Sequence, residues 1–328
     1  MSFNLPHVPK ADEILDDAFR QGAKEAKVRR SVRAPFKERM RESEEARVKY
    51  IGNSIQSDLR KIVKRFPSYD QLSPFHKRLL EIKIDKDNYK KSLGAAQWCL
   101  DNVSRLKLDT LNHLKEYRKD TQASREFQGR VSSMVKRIAK DLDELIEIKK
   151  ILREFPVIED LPTMVVCGYP NVGKSTFMKN LTGSEVKIAS YPFTTQSILI
   201  GHTNIKYQKY QIIDSPGLLD RAMEQRNKIE LEAVLAIKEL ADVILFLVDP
   251  TQDIEAQVSL LKEVSSSFES PVFVAVNKAD VASKDSIDAA QKAAASFPSF
   301  CISANNAADC VRVFQSVFKS LKDAESKN

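Results

Sequence analysis

The stretch Gly168–Tyr169–Pro170–Asn171–Val172–Gly173–Lys174–Ser175 constrains this 328-residue chain more than any other. It reads Gly-x4-Gly-Lys-Ser, placed between the apolar run Met164–Cys167 and the helix-forming run Lys174–Leu181. Glycines at those positions let backbone N–H groups close around an anion, and a helix start adds partial positive charge. Strand, phosphate-cradling turn and helix in that order imply an α/β sheet whose ligand sits at the strand carboxyl ends. Lys174 would reach the terminal phosphates and Ser175 would bind Mg²⁺, with Asn171, Val172, Gly173 and Thr176 completing the loop.

The pattern around this loop agrees. Met164–Cys167, Ser197–His202, Tyr207–Ile213, Val243–Val248, Pro271–Val276 and Phe300–Ile302 read as strands. Helices are expected at Lys174–Leu181, Asn227–Leu240, Ile254–Val264, Lys284–Ser296 and Ala308–Leu321. The alternation, with the phosphate loop at its head, predicts an α/β P-loop domain built on a doubly wound, mostly parallel sheet.

Before Thr163 the grammar is helical. Ala11–Ala26, Pro35–Phe66, a restart at Ser73–Pro74, Asp87–Tyr117 and one long helix over Gln122–Arg153 show apolar residues at three- and four-residue steps. An antiparallel all-α helical bundle is expected, with Pro156 and Pro162 marking the boundary. The domains are therefore read as 1–158 and 159–328.

Charge divides the chain in the same way. Residues 1–150 hold 34 Lys+Arg against 23 Asp+Glu, and the remainder holds 18 against 22. A basic helical half suits a polyanion such as RNA, with Lys24–Arg33, Arg60–Arg65 and Lys136–Lys140 as candidate contacts. Any one such cluster is also what a solvated helix face looks like. Cys99, Cys167, Cys301 and Cys310 form no CxxC pair, and the four histidines are scattered. No disulfide framework and no His/Cys metal site are expected, and a reducing, cytoplasmic setting is. No run of about 18 apolar residues and no lipidation motif suggests a membrane partner.

Four further motifs follow the loop in order. Asp214–Ser215–Pro216–Gly217 ends a strand, where Asp214 can hold Mg²⁺ and the Gly217 N–H can touch a γ-phosphate. Tyr191–Pro192–Phe193–Thr194–Thr195 offers a threonine to the metal, Thr195 in preference to Thr194. In Asn277–Lys278–Ala279–Asp280 the Asp280 carboxylate can accept from guanine N1–H and the 2-amino group together. Adenine presents neither donor there, so the base is read as guanine and the ligand as GTP or GDP. Asn277 can bond the base edge and tie neighbouring loops together, Lys278 follows it, and Ser303–Ala304–Asn305 can offer a backbone N–H to guanine O6. Lys174, Thr195 and Gly217 are the residues expected to act on the γ-phosphate.

The order GYPNVGKST, YPFTT, DSPG, NKAD, SAN resembles the translation-factor-related GTPases of the Obg type. The stretch DSPGLLDRAMEQRNKIELEAVLAIKELADVILFLVDP, with FPSYDQLSPFHKRLLEI upstream, is similar to the Nog family of nucleolar G proteins and their archaeal relatives. The resemblance implies assembly of the large ribosomal subunit, with rRNA and ribosomal proteins as partners of the helical domain. Eukaryotic members carry a long carboxyl-terminal extension, so this chain resembles the shorter archaeal form. It departs in Asn306–Ala307–Ala308, where glycines are often found.

Leu218 stands where many GTPases place a water-orienting glutamine, and a leucine cannot orient water by a side-chain hydrogen bond. Slow intrinsic turnover, helped by a partner or an ion, is therefore expected. Asn171 suggests K⁺, as in related GTPases with this asparagine; bracing of the loop is the other use open to it. A GTP-binding scaffold with little turnover remains the alternative, and a monomer is expected away from the ribosome.

Overall fold

The computed structural model describes residues 4–116, 122–183, 186–190, 197–214, 216, 219 and 228–326. They form two compact units. One holds the chain up to Leu72 together with Lys83–Arg153; the other holds Ser73–Ile82 and everything from Glu154 onward.

The first unit is helical, as its periodicity requires. Its helices are α1 (Ala11–Arg30), α2 (Phe36–Arg65), α4 (Lys86–Glu116), α5 (Ala123–Arg137) and α6 (Ala139–Glu154), the last ending at the unit boundary. Ile14, Leu15, Ala18 and Ala26 of α1 and Ile51, Ile55, Leu59 and Ile62 of α2 are buried at helical spacing. The two backbones approach closely at Gly22, where a Cβ would lie 2.5 Å from Ile51 Cγ1. The only buried carboxylate of this unit among the described residues, Glu44, is met by Arg30 at 2.9 Å, Arg47 at 3.3 Å and the Ser124 hydroxyl. The helix expected over Gln122–Arg153 is two helices. At Ile138 (φ −95°, ψ 11°) the backbone tightens and its N–H bonds to Val135, three residues back. Apolar spacing runs through the break, so periodicity alone does not reveal it.

The second unit carries the sheet. Its strands are β1 (Thr163–Cys167), β2 (Lys187–Ser190), β3 (Ser197–Ile205), β4 (Gln208–Asp214), β5 (Val243–Val248), β6 (Val272–Val276) and β7 (Ser299–Cys301), in spatial order β2-β3-β4-β1-β5-β6-β7. Only the β2–β3 and β3–β4 pairs are antiparallel. β1, β5 and β6 are buried along their whole length, which is why they read as continuous apolar runs. Six strands were expected. The seventh, β2, is a four-residue strand, KIAS, which among the described residues pairs only with β3; so short and partly polar a stretch lacks a strand signature. Helices α7 (Lys174–Thr182), α8 (Lys228–Lys238), α9 (Ile254–Ser267), α10 (Lys284–Ala293) and α11 (Ala307–Glu325) complete the unit. Helix α7 follows β1, whose neighbours β4 and β5 flank it on either side, a topological switch point.

Residues 73–82, expected within the helical domain, group instead with the sheet. Their helix α3 (Pro74–Glu81) packs on α8, with Arg78 3.2 Å from Glu239 and 3.9 Å from Glu232. Ser73 caps it, accepting from the His76 N–H at 3.4 Å and lying 2.7 Å from His76 Nδ1. The His76 ring stacks on Phe155. Burial pushes its pKa down to about 4, partly opposed by the backbone of Pro156. The folded protein thus keeps His76 neutral to about pH 4, whereas the unfolded chain protonates it near 6.5. This contribution is intact above pH 6.5 and is lost as pH falls toward 4, by about 3 kcal/mol. Urea unfolding of the full chain and of His76→Gln should therefore diverge between pH 6.5 and 4, with the variant less pH-sensitive. Parallel curves would refute it.

Candidate functional site

Every glycine of the phosphate loop answers a local requirement. Gly168 has φ +137°, and a Cβ there would sit 2.4 Å from the Leu247 carbonyl oxygen of β5. Gly173 has φ +100°, and a Cβ would sit 2.3 Å from Asn277 Nδ2. Asn171 between them is also left-handed (φ +63°), which asparagine tolerates better than most residues. Lys174, only 7% exposed, folds back over the loop and donates to the carbonyls of Gly168 and Tyr169, both at 2.8 Å. Its ammonium is held above the loop and carried by backbone oxygens.

Ser175 opens α7 and Asp214 ends β4, yet the Ser175 hydroxyl lies 3.4 Å from Asp214 Oδ2. Asp214 is buried, and its register opposite Val166 of β1 brings it beside the loop. A hydroxyl and a carboxylate so placed are hard oxygen donors, a set that suits Mg²⁺ together with phosphate oxygens. Thr176 follows on α7. Thr194, Thr195, Gly217 and Leu218 lie outside the described residues.

Asn277 is a clasp between two loops. It is 1% exposed, donates from Nδ2 to the Val172 carbonyl at 2.7 Å and accepts the Ala304 N–H at 2.7 Å. One amide thereby joins the phosphate loop to the Ser303–Ala304–Asn305 loop. Asp280 is exposed, with Asn305 Nδ2 3.3 Å from its carboxylate. The Ser303 hydroxyl, its own backbone N–H and Asn305 hold the carboxyl below the usual range, so it is ionised at neutral pH. That is the state needed to accept two donors from one base. After Asn305, Asn306 caps α11 by accepting the Ala308 N–H at 3.0 Å.

Two supports escaped the sequence reading. Asp249, at the end of β5, is fully buried and lies 2.5 Å from Lys278 Nζ; it also accepts from the Thr251 N–H and hydroxyl. Burial pushes its carboxyl up, but the bonds from Lys278 and Thr251 outweigh this and keep it below the usual range. Lys278 itself has φ +60°. Asn180 of α7 donates to the Ala304 carbonyl at 2.6 Å, holding the last loop from its other side. The Val-Asp-Pro turn after a buried strand was the one available signal for Asp249. Asn180 left none.

Comparisons with known proteins agree with this geometry. Residues 3–159 match the family model described as NOG1 N-terminal helical domain, and residues 163–278 match the one described as 50S ribosome-binding GTPase. An uncharacterised protein of Methanocaldococcus jannaschii is 37% identical over 86% of this chain and 82% of its own. Nucleolar GTP-binding protein 1 of Saccharomyces cerevisiae is 32% identical over 87% of this chain and 45% of its own, and that of Drosophila melanogaster 33% over 75% and 39%. The chain thus spans less than half the length of these two eukaryotic relatives. Among the described residues no helix is long and apolar enough to cross a membrane. A helical amino-terminal region, a phosphate loop tied by Asn277 to the Ser303–Ala304–Asn305 loop and these relatives agree: the chain belongs to the Nog family of GTP-binding P-loop GTPases.

Proposed function

We propose that this protein is a GTP-hydrolysing switch that acts in the assembly of the large ribosomal subunit. The Asn277 clasp carries the nucleotide part, because it makes phosphate loop and base loop a single pre-set cradle. In this reading Asn171, Val172, Gly173, Lys174, Ser175 and Thr176 hold the phosphates. Asn277, Lys278, Asp280, Ser303, Ala304 and Asn305 hold the base. Mg²⁺, when bound, neutralises phosphate charge and is held by Ser175, Asp214 and Thr195. Lys174, Thr195 and Gly217 act on the γ-phosphate.

The ribosomal part rests on the 50S ribosome-binding description of the matched family model, on the nucleolar names of the relatives and on the basic excess of residues 1–150. The helical domain, 1–158, docks on rRNA and ribosomal proteins of the precursor particle, and the protein works in the cytoplasm as a monomer when off the ribosome. Leu218 makes intrinsic hydrolysis slow, so a partner or K⁺ at Asn171 supplies the missing charge; such a group is worth up to about 10⁵-fold. Leu218 equally favours a second reading, a GTP-binding scaffold that seldom turns over.

Sedimentation with GTP, GDP and a non-hydrolysable analogue tests the first reading. Co-migration with large-subunit particles only in the GTP-like state is expected, and association with small subunits alone would sink it. Single-turnover hydrolysis in the same samples, in KCl and in NaCl at equal ionic strength, separates the rest. Stimulation by large subunits distinguishes the switch from the scaffold, and equal rates in the two salts remove K⁺.

A further inference from the structure

The first and second halves of α2 treat their charges differently. In the first half, Arg41 lies 3.4 Å from Glu45 and Arg47 lies 3.3 Å from Glu44. In the second half the only acid is Asp58, taken by Lys61 at 3.0 Å. Arg60, Lys64 and Arg65 are exposed and make no ion pair among the described residues. Asn53, Ser57, Arg60 and Lys64 recur at steps of four and three, so they share one face of the helix. With Gln56, Lys61 and Arg65 they line a surface groove of about 440 Å³.

A further cation is laid into this face from α4. Lys107 Nζ donates to Asn53 Oδ1 at 3.0 Å and Gln56 Oε1 at 2.8 Å, and Gln56 is itself held by donating to the Ser104 hydroxyl at 2.9 Å. The lysine crosses α2 where Gly52 leaves room, since a Cβ there would lie 2.6 Å from Lys107 Cδ. Its partners are neutral amide oxygens, not carboxylates. Partial burial and the nearby Arg60 charge lower the Lys107 pKa, so the cluster repels itself as it stands. A groove that gathers like charges, fixes one of them with amides and, among the described residues, gives only Lys61 a carboxylate partner is complementary to an anion from outside.

We propose that this face of α2, with Lys107 of α4, docks an RNA sugar–phosphate backbone. The proposal rests on the RNA-directed reading of the helical domain given above and names the surface that does the work. Arg60 and Lys64 are one helical turn apart, about 6 Å along the axis, which suits a repeating line of charge better than a single anion. Asn53 and Ser57 place an amide and a hydroxyl beside the cations, groups that serve phosphate oxygens and ribose 2′-hydroxyls alike. Such groups position RNA without reading its bases.

The test uses the full chain and purified large-subunit rRNA, with filter binding across a salt series. Arg60→Glu/Lys64→Glu is expected to weaken binding at least tenfold and to flatten the log–log salt slope by one to two, at about 0.7–0.9 for each phosphate that is no longer neutralised. Lys107→Gln, which introduces no repulsion, should lower the slope by about one. Lys284→Glu/Lys292→Glu, the same charge change on α10, should reduce affinity by less than threefold. If the wild type binds rRNA and both groove variants bind with unchanged affinity and slope, the groove assignment is wrong although the ribosomal reading stands. If polyglutamate competes as well as RNA at matched charge, the surface is a protein-docking one and the proposal is overturned. A wild type that binds no rRNA removes the ribosomal reading and the groove with it.

Discussion

Asp280→Asn is expected to exchange guanine for xanthine as the preferred base. The Asp280 carboxylate, kept ionised by Ser303, its own backbone N–H and Asn305, can accept from guanine N1–H and the 2-amino group. An asparagine replaces one acceptor by an N–H₂ donor that faces the 2-amino group of guanine and leaves both unpaired. Xanthine has a carbonyl at that place and accepts the donor. Sites that hydrogen-bond a substrate group reject analogues lacking it by on the order of 10⁴. The exposed position of Asp280 lowers this, so a loss of GDP affinity of about 10²- to 10⁴-fold is expected, with XDP bound better by the variant than by the wild type. Competition of GDP and XDP against a fluorescent nucleotide measures both. Since Asp280 is at the surface, far-UV circular dichroism should not change. Unaltered GDP affinity would remove Asp280 from the base site.

Asn277→Ala should be costly in two ways at once. The variant leaves the Val172 carbonyl and the Ala304 N–H without the bonds that Asn277 provides at 2.7 Å each. Leaving a buried group unsatisfied costs about 1–3 kcal/mol, so about 2–6 kcal/mol is at stake across the two. Part is expected as a lower urea midpoint of the sheet-bearing unit, and part as nucleotide affinity at least tenfold weaker, because phosphate and base loops no longer share a tie. Asn277→Asp is the informative companion. It keeps an acceptor for the Ala304 N–H but sets a carboxylate against the Val172 carbonyl, and should be no milder than alanine. Full stability with full nucleotide affinity in Asn277→Ala would show that the clasp does not organise the site.

How much of this was legible depended on the range of the interaction behind each feature. The phosphate loop could be read because its constraints are local: left-handed backbone at Gly168 and Gly173, an anion-facing helix start, and a lysine six residues after the first glycine. β1, β5 and β6 could be read because burial on both faces forces continuous apolar residues. β2 could not, since KIAS is ordinary loop composition and becomes a strand only because β3 offers it an edge. The break at Ile138 was hidden for a related reason. A side-chain stripe records which residues face the core, not whether the backbone between them is an unbroken helix.

For the site, residue types were legible and their alliances were not. Ser175 and Asp214 stand thirty-nine positions apart and become neighbours because β4 pairs with β1. An acid after a strand usually marks a turn, and only the fold sets Asp249 against Lys278. Lys107 and Gln56, fifty-one positions apart, meet because Gly52 lets α4 lie close on α2. The short helix Pro74–Glu81 is a helix on its own signals, a serine cap and a proline at the first turn. It groups by contact with the sheet-bearing unit, packing on α8 with Arg78 beside Glu232 and Glu239.

By itself, then, the sequence determined the two kinds of architecture, the phosphate loop and the preference for guanine, because these follow from backbone conformations and donor patterns within a few residues. The tertiary structure decided which loops are tied together, which cations are neutralised and which are left open, and to which unit α3 belongs. Those depend on pairings between residues tens of positions apart, which no local pattern encodes.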